Sequence, residues 1–294
     1  MNDTNLLPSM DFLLLQLKLK RIWQQRGLGQ HFLTDPEVLE RIAASTGVDA
    51  QTLAVEIGPG PGTLTTLLAA RAGGVLAVEY DERLRPVHAD GFARAPQVKF
   101  VYGDALRVNL AAEGQAWAAE RGLTRLVLTG NLPFQITSPL LFGQCGPAVP
   151  WQEITVMIQK EVADRIVSPP GHKAYGILSV KLAYWWKLRE RFDVKADRFF
   201  PKPKVDASVL VLERRPASES PDPAQWPALS AFIDAALNQR RKMLVNVLVG
   251  NPHLNLTREQ VLAALDQMEI GEQIRAEALS AEQFLELHTK LMAG

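Results

Sequence analysis

Residues 52–68 read TLAVEIGPGPGTLTTLL: an apolar run, a turn with glycine at 58, 60 and 62, then a second apolar run. The first run predicts a buried strand and the second the start of a helix. A strand that passes through glycines into a helix lets backbone approach a ligand with no Cβ in the way. The first amides of the helix are then free to bind it. Turns need glycine in any case, so this stretch alone leaves a purely architectural reading open. Working outward, VLAVEYD, VKFVYGD and RLVLTGN alternate with helical patterns, and EITVMIQKE extends the series. Strands interleaved with helices predict βαβ units and a parallel sheet covered on both faces. AYGILSVKLAYWW has a helical character, and Trp185 and Trp186 within it are assigned to core or edge packing. KLRERFDV and VDASVLVLERR read as two further strands, whose close succession predicts an antiparallel hairpin-like pair at the sheet edge. The fold class is therefore α/β, with a Rossmann-like, mostly parallel sheet of about seven strands.

The segment PASESPDPAQWP reads as a linker, and only helical patterns follow it. Three regions are expected: an N-terminal helical extension over 1–28, an α/β domain over 29–215, and a small all-helical domain over 216–294. Thr257 and Ser280 each precede a Glu by two residues, a spacing that predicts a helix cap but no capping box. Near the N-terminus a short leucine run has an Asp before it and basic residues after it. That is the wrong order for a secretory signal and predicts a short amphipathic helix. No run approaches the ~18 apolar residues of a membrane span, and a cytoplasmic location is expected. The chain has 32 basic and 32 acidic residues, so whole-molecule attraction to nucleic acid is not evident. Lys and Arg do outnumber acids over 150–215, a bias whose ordinary meaning is a solvated face. The single cysteine, Cys145, excludes an intramolecular disulfide. The histidines are not spaced as metal pairs, and no metal is expected.

Glu79 ends the second strand roughly 20 residues beyond the glycine turn, where an acid accepts both ribose hydroxyls of a nucleotide. Asp104, in YGDAL, ends the third, where a carboxylate can take the adenine amine. All of these features fall at strand C-termini, where open α/β sheets bind ligands. An adenosine-bearing cofactor follows, and both NAD and S-adenosyl-L-methionine qualify. The glycines lack the wider G-x-G-x-x-G spacing, and Glu56 would oppose a pyrophosphate but favour a sulfonium, so S-adenosyl-L-methionine fits better. Asn131 ends the fourth strand beside the same crevice. Its amide oxygen and a carbonyl near Pro133 can accept from an exocyclic amine and aim the nitrogen lone pair at a methyl group. Phe134 can stack on the ring. This is positioning chemistry, since a sulfonium is already a strong electrophile. The plainer reading of the same residues is a turn rich in Asn and Pro.

The set GLGQHFL, VEIGPGPGTLT, AVEYD, GDAL, GNLPFQITSP, IQKEVADRI, AYGILSV, FFPKPKVDASV and NQRRKML resembles the KsgA/RsmA family of small-subunit rRNA adenine dimethyltransferases. The resemblance covers 29 to about 249 and implies a class I methyltransferase fold with S-adenosyl-L-methionine as cofactor. It implies cofactor contacts at His31, Leu33, Gly58, Gly60, Glu79, Asp104, Ala105 and Asn131. It makes Asn131, Leu132, Pro133 and Phe134 the target-amine pocket, with Phe199 as a second stacking wall. RNA contacts are expected at Lys160, Lys204, Arg240, Arg241 and Lys242, the last three on a helix. His31 stands where the family usually has Asn, and Phe134 where Tyr is usual. The implied substrates are two adjacent adenosines in the 3′-terminal hairpin of 16S rRNA within an immature 30S subunit, and the expected enzyme is a monomer. Three rivals stand beside this reading. A macrolide-resistance-type large-subunit methyltransferase is disfavoured by the FFPKPKVDASV and NQRRKML motifs. A non-catalytic 30S assembly factor would not need an intact pocket, and an NAD-dependent oxidoreductase fits least well.

Overall fold

The computed structural model describes residues 7–23, 30–144, 146–240 and 242–292. Cys145 and Arg241 therefore lie outside the described residues, as does the GLG that opens the first motif of the resemblance. The chain runs α1 (Met10–Leu19), β1 (Phe32–Leu33), α2 (Pro36–Ser45), β2 (Thr52–Ile57), α3 (Thr63–Ala69), β3 (Gly74–Glu79), α4 (Arg85–Gly91) and β4 (Val98–Tyr102). Then come α5 (Leu110–Glu120), β5 (Arg125–Asn131), α6 (Thr137–Gln144), β6 (Glu153–Gln159), α7 (Lys160–Ile166), α8 (Ile177–Trp185), β7 (Trp186–Val194), β8 (Phe199–Phe200) and β9 (Ala207–Arg214). The last helices are α9 (Trp226–Leu237), α10 (Leu244–Val249), α11 (Arg258–Gln267) and α12 (Ala281–Met292). Contacts divide the chain into two compact units. The first comprises the chain to Gln144 with Val149–Ala163 and Leu188–Arg214; the second comprises Cys145–Ala148, Asp164–Lys187 and Arg215 onward. Asp164–Lys187 thus groups with the helical unit, although it precedes the linker that marked the expected boundary.

In the first unit seven strands form one sheet in the order β4-β3-β2-β5-β6-β9-β7. Neighbours from β4 to β6 are parallel, and β9 runs antiparallel to β6. Every residue of β2 and β3 is buried, which is why these strands read as continuous apolar runs rather than alternating ones. The last two strands of the sheet pair at its edge as expected, with a longer connection than a hairpin has. β7 holds the edge and β9 lies between it and β6, while the connection between them contributes β8. β8 pairs antiparallel with β1 in a separate ribbon, Phe32 opposite Phe200 and Leu33 opposite Phe199. The N-terminal leucine run forms α1, capped by Ser9; Leu13 and Leu17 pack with Leu84, Val87 and Phe92.

The strand order reverses at β2, whose neighbours β3 and β5 lead the chain away on opposite sides. Crevices open at the carboxyl ends of strands at such a point. Here one glycine lets the strands close up. Gly130 of β5 has φ +147°, and a Cβ there would lie 2.2 Å from the Ile57 carbonyl oxygen on β2. Only glycine lets the two strands approach this closely just before the turn.

In the second unit Phe232 and Phe284 are fully buried, Trp185 meets Trp226 edge-on at 5.4 Å, and the Tyr175 and Tyr184 hydroxyls donate to the Leu279 and Ala281 carbonyls. Trp185 and Trp186 are both buried. Two local expectations change here. Thr257 and Ser280 each form a reciprocal capping pair, with Gln260 and Gln283. A Gln amide oxygen three residues on accepts from the cap amide as a Glu would. The apolar run over 228–250 is two helices rather than one. Leu244 N donates to the Ile274 carbonyl instead of back into a continuous helix, so the basic NQRRK stretch forms the connection between α9 and α10.

The Gly130→Ala substitution is expected to cost at least about 3 kcal/mol, because backbone must shift to admit the Cβ. Thermal unfolding followed by circular dichroism measures this, and a near-unchanged midpoint would refute the close-approach argument.

Candidate active site

The turn after β2 holds Gly58, Gly60 and Gly62 at φ +67°, +57° and +99°. A Cβ on Gly60 would lie 2.9 Å from the Phe32 ring, and one on Gly62 would lie 2.7 Å from that of Phe92. These aromatic rings back the turn, and the bare Cα positions let it sit against them. Two adjoining hollows meet at Phe32, Gly58, Gly60 and Asn131. One extends to Glu56 and Thr63; the other takes in His31, Glu79, Leu132, Pro133, Phe134 and Phe199. The structure thus gathers most of the residues expected around cofactor and target amine. Leu33 reaches only the first hollow, and its side chain belongs to the hydrophobic core. Asp104 and Ala105 line neither hollow. Ala105 is buried, while the Asp104 carboxylate accepts from Leu106 N at 2.9 Å in its own turn and stays a third exposed.

Glu79 organises the turn. Its Oε2 accepts from Gly60 N at 3.0 Å and its Oε1 from Asp81 N at 2.8 Å, so the carboxylate spans two backbone segments. Burial pushes its pKa up to about 7 against the pull of these amides. Glu56 is deeper still. Burial raises its pKa to about 8, and its Oε2 accepts from the Thr65 hydroxyl at 2.6 Å. In the cofactor-free protein burial thus favours its protonated form, so the negative charge expected of Glu56 is not a fixed one. The charge available to the site is that of Glu79.

At the end of β5, Asn131 Nδ2 donates to the His31 carbonyl at 3.0 Å. Its Oδ1 and second N–H have no hydrogen-bond partner among the described residues. Of the carbonyls near Pro133, that of Pro133 itself is occupied. It already accepts from Ile136 N and from the Thr137 hydroxyl, both at 3.1 Å, as the first turn of α6 closes on it. The Leu132 carbonyl accepts no hydrogen bond among the described residues, and the Leu132 side chain is buried. Phe134 is half-buried and stacks on His31 with ring centroids 6.1 Å apart. His31 Nδ1 donates to the Pro201 carbonyl at 2.7 Å, since a carbonyl can only accept. This bond and the β1–β8 ribbon carry the FFPKPKV segment to the pocket, where Phe199 forms a wall.

The residues expected to meet RNA are less uniform. Lys160 opens α7 and pairs with Asp193 at 2.9 Å, whereas Lys204 and Lys242 are exposed. Arg240 is an internal tie of the helical unit: it donates to Glu277 Oε2 and to the Lys173 carbonyl. Several site residues had no signal in the sequence. Gln30 donates to Asp81 Oδ2, and the buried His88 meets the Gly60 carbonyl oxygen at 2.7 Å. Gln30 lies within GLGQHFL but was assigned no role there, and His88 belongs to no motif, so only tertiary contact reveals what each does.

The strand order and the glycine turn define a methyltransferase of the Rossmann-like class. The family model for ribosomal RNA adenine dimethylase matches residues 23–292, and the chain belongs to that family. The ribosomal RNA small subunit methyltransferase A of Streptococcus pneumoniae (strain P1031) is 38% identical over 270 residues, covering 90% of this chain and 90% of that protein. The protein of the same name from Ligilactobacillus salivarius (strain UCC118) is 37% identical over 272 residues, 91% of this chain and 90% of its own. Among solved structures, a dimethyladenosine transferase from Plasmodium falciparum shares the fold, with a TM-score of 0.71 at 22% identity over 87% of this chain and 96% of that one. The 23S rRNA methyltransferase ErmE gives 0.66 at 26% identity over 88% and 99%. The chain is therefore a ribosomal RNA adenine dimethyltransferase that uses S-adenosyl-L-methionine, and the NAD reading falls away. Among the described residues no side-chain cluster suits a metal ion, and no helix is long and apolar enough to cross a membrane.

The raised carboxyls carry a stability consequence. With an unfolded value of 4.5, Glu79 and Glu56 keep protons in the folded state that the unfolded chain has released, so stability falls as pH rises through about 7 and about 8. The buried His88 and His288 act in the opposite direction, but only below their unfolded value of 6.5. Cofactor-free protein should therefore lose thermal stability from about pH 6.5 to about pH 8.5, and Glu56→Gln should flatten that slope. Scanning calorimetry across this range checks both, and a rising midpoint would contradict the buried-carboxyl account.

Proposed function

We propose that this enzyme dimethylates the exocyclic amines of two adjacent adenosines in the 3′-terminal hairpin of small-subunit rRNA. The observation that carries the reading is near-full-length similarity, at 37–38% identity, to proteins named small subunit methyltransferase A. The intact junction of Asn131 with the glycine turn supports catalysis over a purely structural role in subunit assembly. The cofactor seat is the turn at Gly58 and Gly60 with Glu79 beside it; Asp104 and Ala105, which line neither hollow, are assigned to its adenine end from the end of β4. His31 and Leu33 form its further wall. The fit is sound: each Glu79 oxygen accepts one backbone amide and retains room for a second donor, as a pair of ribose hydroxyls requires. When bound, S-adenosyl-L-methionine supplies an electrophilic methyl group on sulfur.

Asn131 Oδ1 and the Leu132 carbonyl act as paired acceptors for the adenine amine and hold its lone pair in line for attack. The Leu132 carbonyl is the acceptor near Pro133, since the Pro133 carbonyl is occupied at the start of α6. The ring of Pro133 stiffens the turn. Phe134 and Phe199 offer faces for the base, which must leave its stack to enter, at a cost of a few kcal/mol that ring contact offsets. Nitrogen becomes acidic once alkylated, so proton loss needs no dedicated base. Lys160, Lys204, Arg241 and Lys242 are assigned to phosphate contacts, and Arg240 to an internal tie of the helical unit. The working substrate is an assembling 30S particle, met by a cytoplasmic monomer.

A second reading, methylation of large-subunit rRNA, draws on the likeness to ErmE. One experiment separates them. The protein is incubated with labelled S-adenosyl-L-methionine and either 30S particles lacking the modification or protein-free 23S rRNA, and the label is mapped. Dimethyladenosine at paired 3′-terminal adenosines of the small subunit is expected, with Asn131→Ala slower by at least about 100-fold. Label on 23S rRNA alone would replace the first reading by the second. Particle binding with no transfer would leave only an assembly role.

A further inference from the structure

We infer that His88 is a positioning residue for the cofactor turn, acting through the Gly60 carbonyl. The inference rests on the assignment of that turn and Glu79 as the cofactor seat. His88 lies on α4, is 2% exposed, and makes a hydrogen bond from each ring nitrogen. Its Nε2 lies 2.7 Å from the Gly60 carbonyl oxygen and its Nδ1 lies 2.7 Å from the Tyr102 hydroxyl. The carbonyl can only accept, so the proton sits on Nε2, and Nδ1 is left to accept from Tyr102. Phe100 fixes the plane of the ring, stacked at 4.0 Å and 9°. The tautomer and the orientation are thus both determined.

The far side of the same residue is equally constrained. Gly60 N donates to Glu79 Oε2, and the Phe32 ring occupies the space a Cβ would need. Gly60 is therefore held at its N–H by the acid expected to take the ribose and at its C=O by His88. A turn with three glycines at positive φ has wide conformational freedom when untethered, and every alternative conformation dilutes the binding-competent one. His88 removes that freedom without touching the ligand. Burial keeps the ring neutral, holding its pKa down to about 4, so the tether persists at neutral pH.

The test is calorimetric titration of the full chain with S-adenosyl-L-methionine and with S-adenosyl-L-homocysteine at 25 °C, alongside melting curves. The His88→Leu variant should bind at least ~10-fold more weakly, and His88→Gln, whose amide N–H can reach the same carbonyl, should recover most of the loss. Tyr102→Phe, which removes the hydroxyl that donates to Nδ1 and so loosens the orientation of the ring, should weaken binding about 3-fold. The KM for the cofactor should rise in step while kcat at saturation changes far less, a split that simple loss of folded protein does not produce. Unchanged affinity in His88→Leu with binding lost in Glu79→Ala would overturn the role of His88 and leave the seat intact. Unchanged affinity in both would remove the seat itself, and the inference with it. Should His88→Leu not fold, Tyr102→Phe decides, and wild-type affinity there overturns the inference.

Discussion

Two backbones meet at the carboxyl end of the sheet more closely than any side chain would permit, and the placement of the site follows from that approach. Gly130 lies against Ile57, and the next residue on each strand is then Asn131 on one side and Gly58 on the other. A Cβ on Gly58 would stand 3.5 Å from the Asn131 carbonyl oxygen, so the cofactor turn and the acceptor motif share one wall. Neither strand could supply both elements alone. β2 and β5 pair parallel although α3, β3, α4, β4 and α5 lie between them in the chain; that pairing brings the two elements together, and the reversal of strand order opens space beside them. The remaining strands extend the sheet, and the helices cover its faces.

Two glutamates on adjacent strands show how burial, more than residue type, divides the work. Glu56 and Glu79 both point from the parallel core toward the turn. Glu56 meets only the Thr65 hydroxyl, and desolvation keeps it protonated near neutrality. Glu79 meets two backbone amides, which favour its ionised form and bring its pKa nearer to neutral. The same desolvation thus produces a neutral structural acid one strand away from an acceptor that can carry charge. A reading of charge from the sequence alone treats the two alike, which is why Glu56 was expected to face the cofactor as an anion.

The parts of the molecule set by local pattern were legible in advance. The α/β class, the parallel strands and the acids and amide at their carboxyl ends follow from apolar runs, glycine positions and the geometry of open sheets. What was not legible depends on pairs distant in sequence. The β1–β8 ribbon has two residues per strand, too few for any periodicity. His31 meets Pro201 across 170 positions, and His88 reaches back 28 to Gly60. The break between α9 and α10 depends on Ile274 in the same way. Nor can sequence reveal which carbonyl near Pro133 stays open: that of Pro133 is taken at the start of α6, and that of Leu132 is not, among the described residues.

The two departures from the family pattern, His31 and Phe134, are in contact with each other, ring against ring. Asn131 takes its tether from the His31 backbone carbonyl, a group that every residue type supplies. The side chain at 31 is thereby free to change without loosening the amide that matters for the target. In this chain the freedom is used to bond Pro201, which draws the segment after β8 toward the pocket. A phenyl ring at 134 suits that neighbour, since it offers a face to the imidazole and brings no hydroxyl to satisfy. The tether of Asn131 thus rests on a backbone carbonyl, while the side chains at 31 and 134 pack on one another beside it.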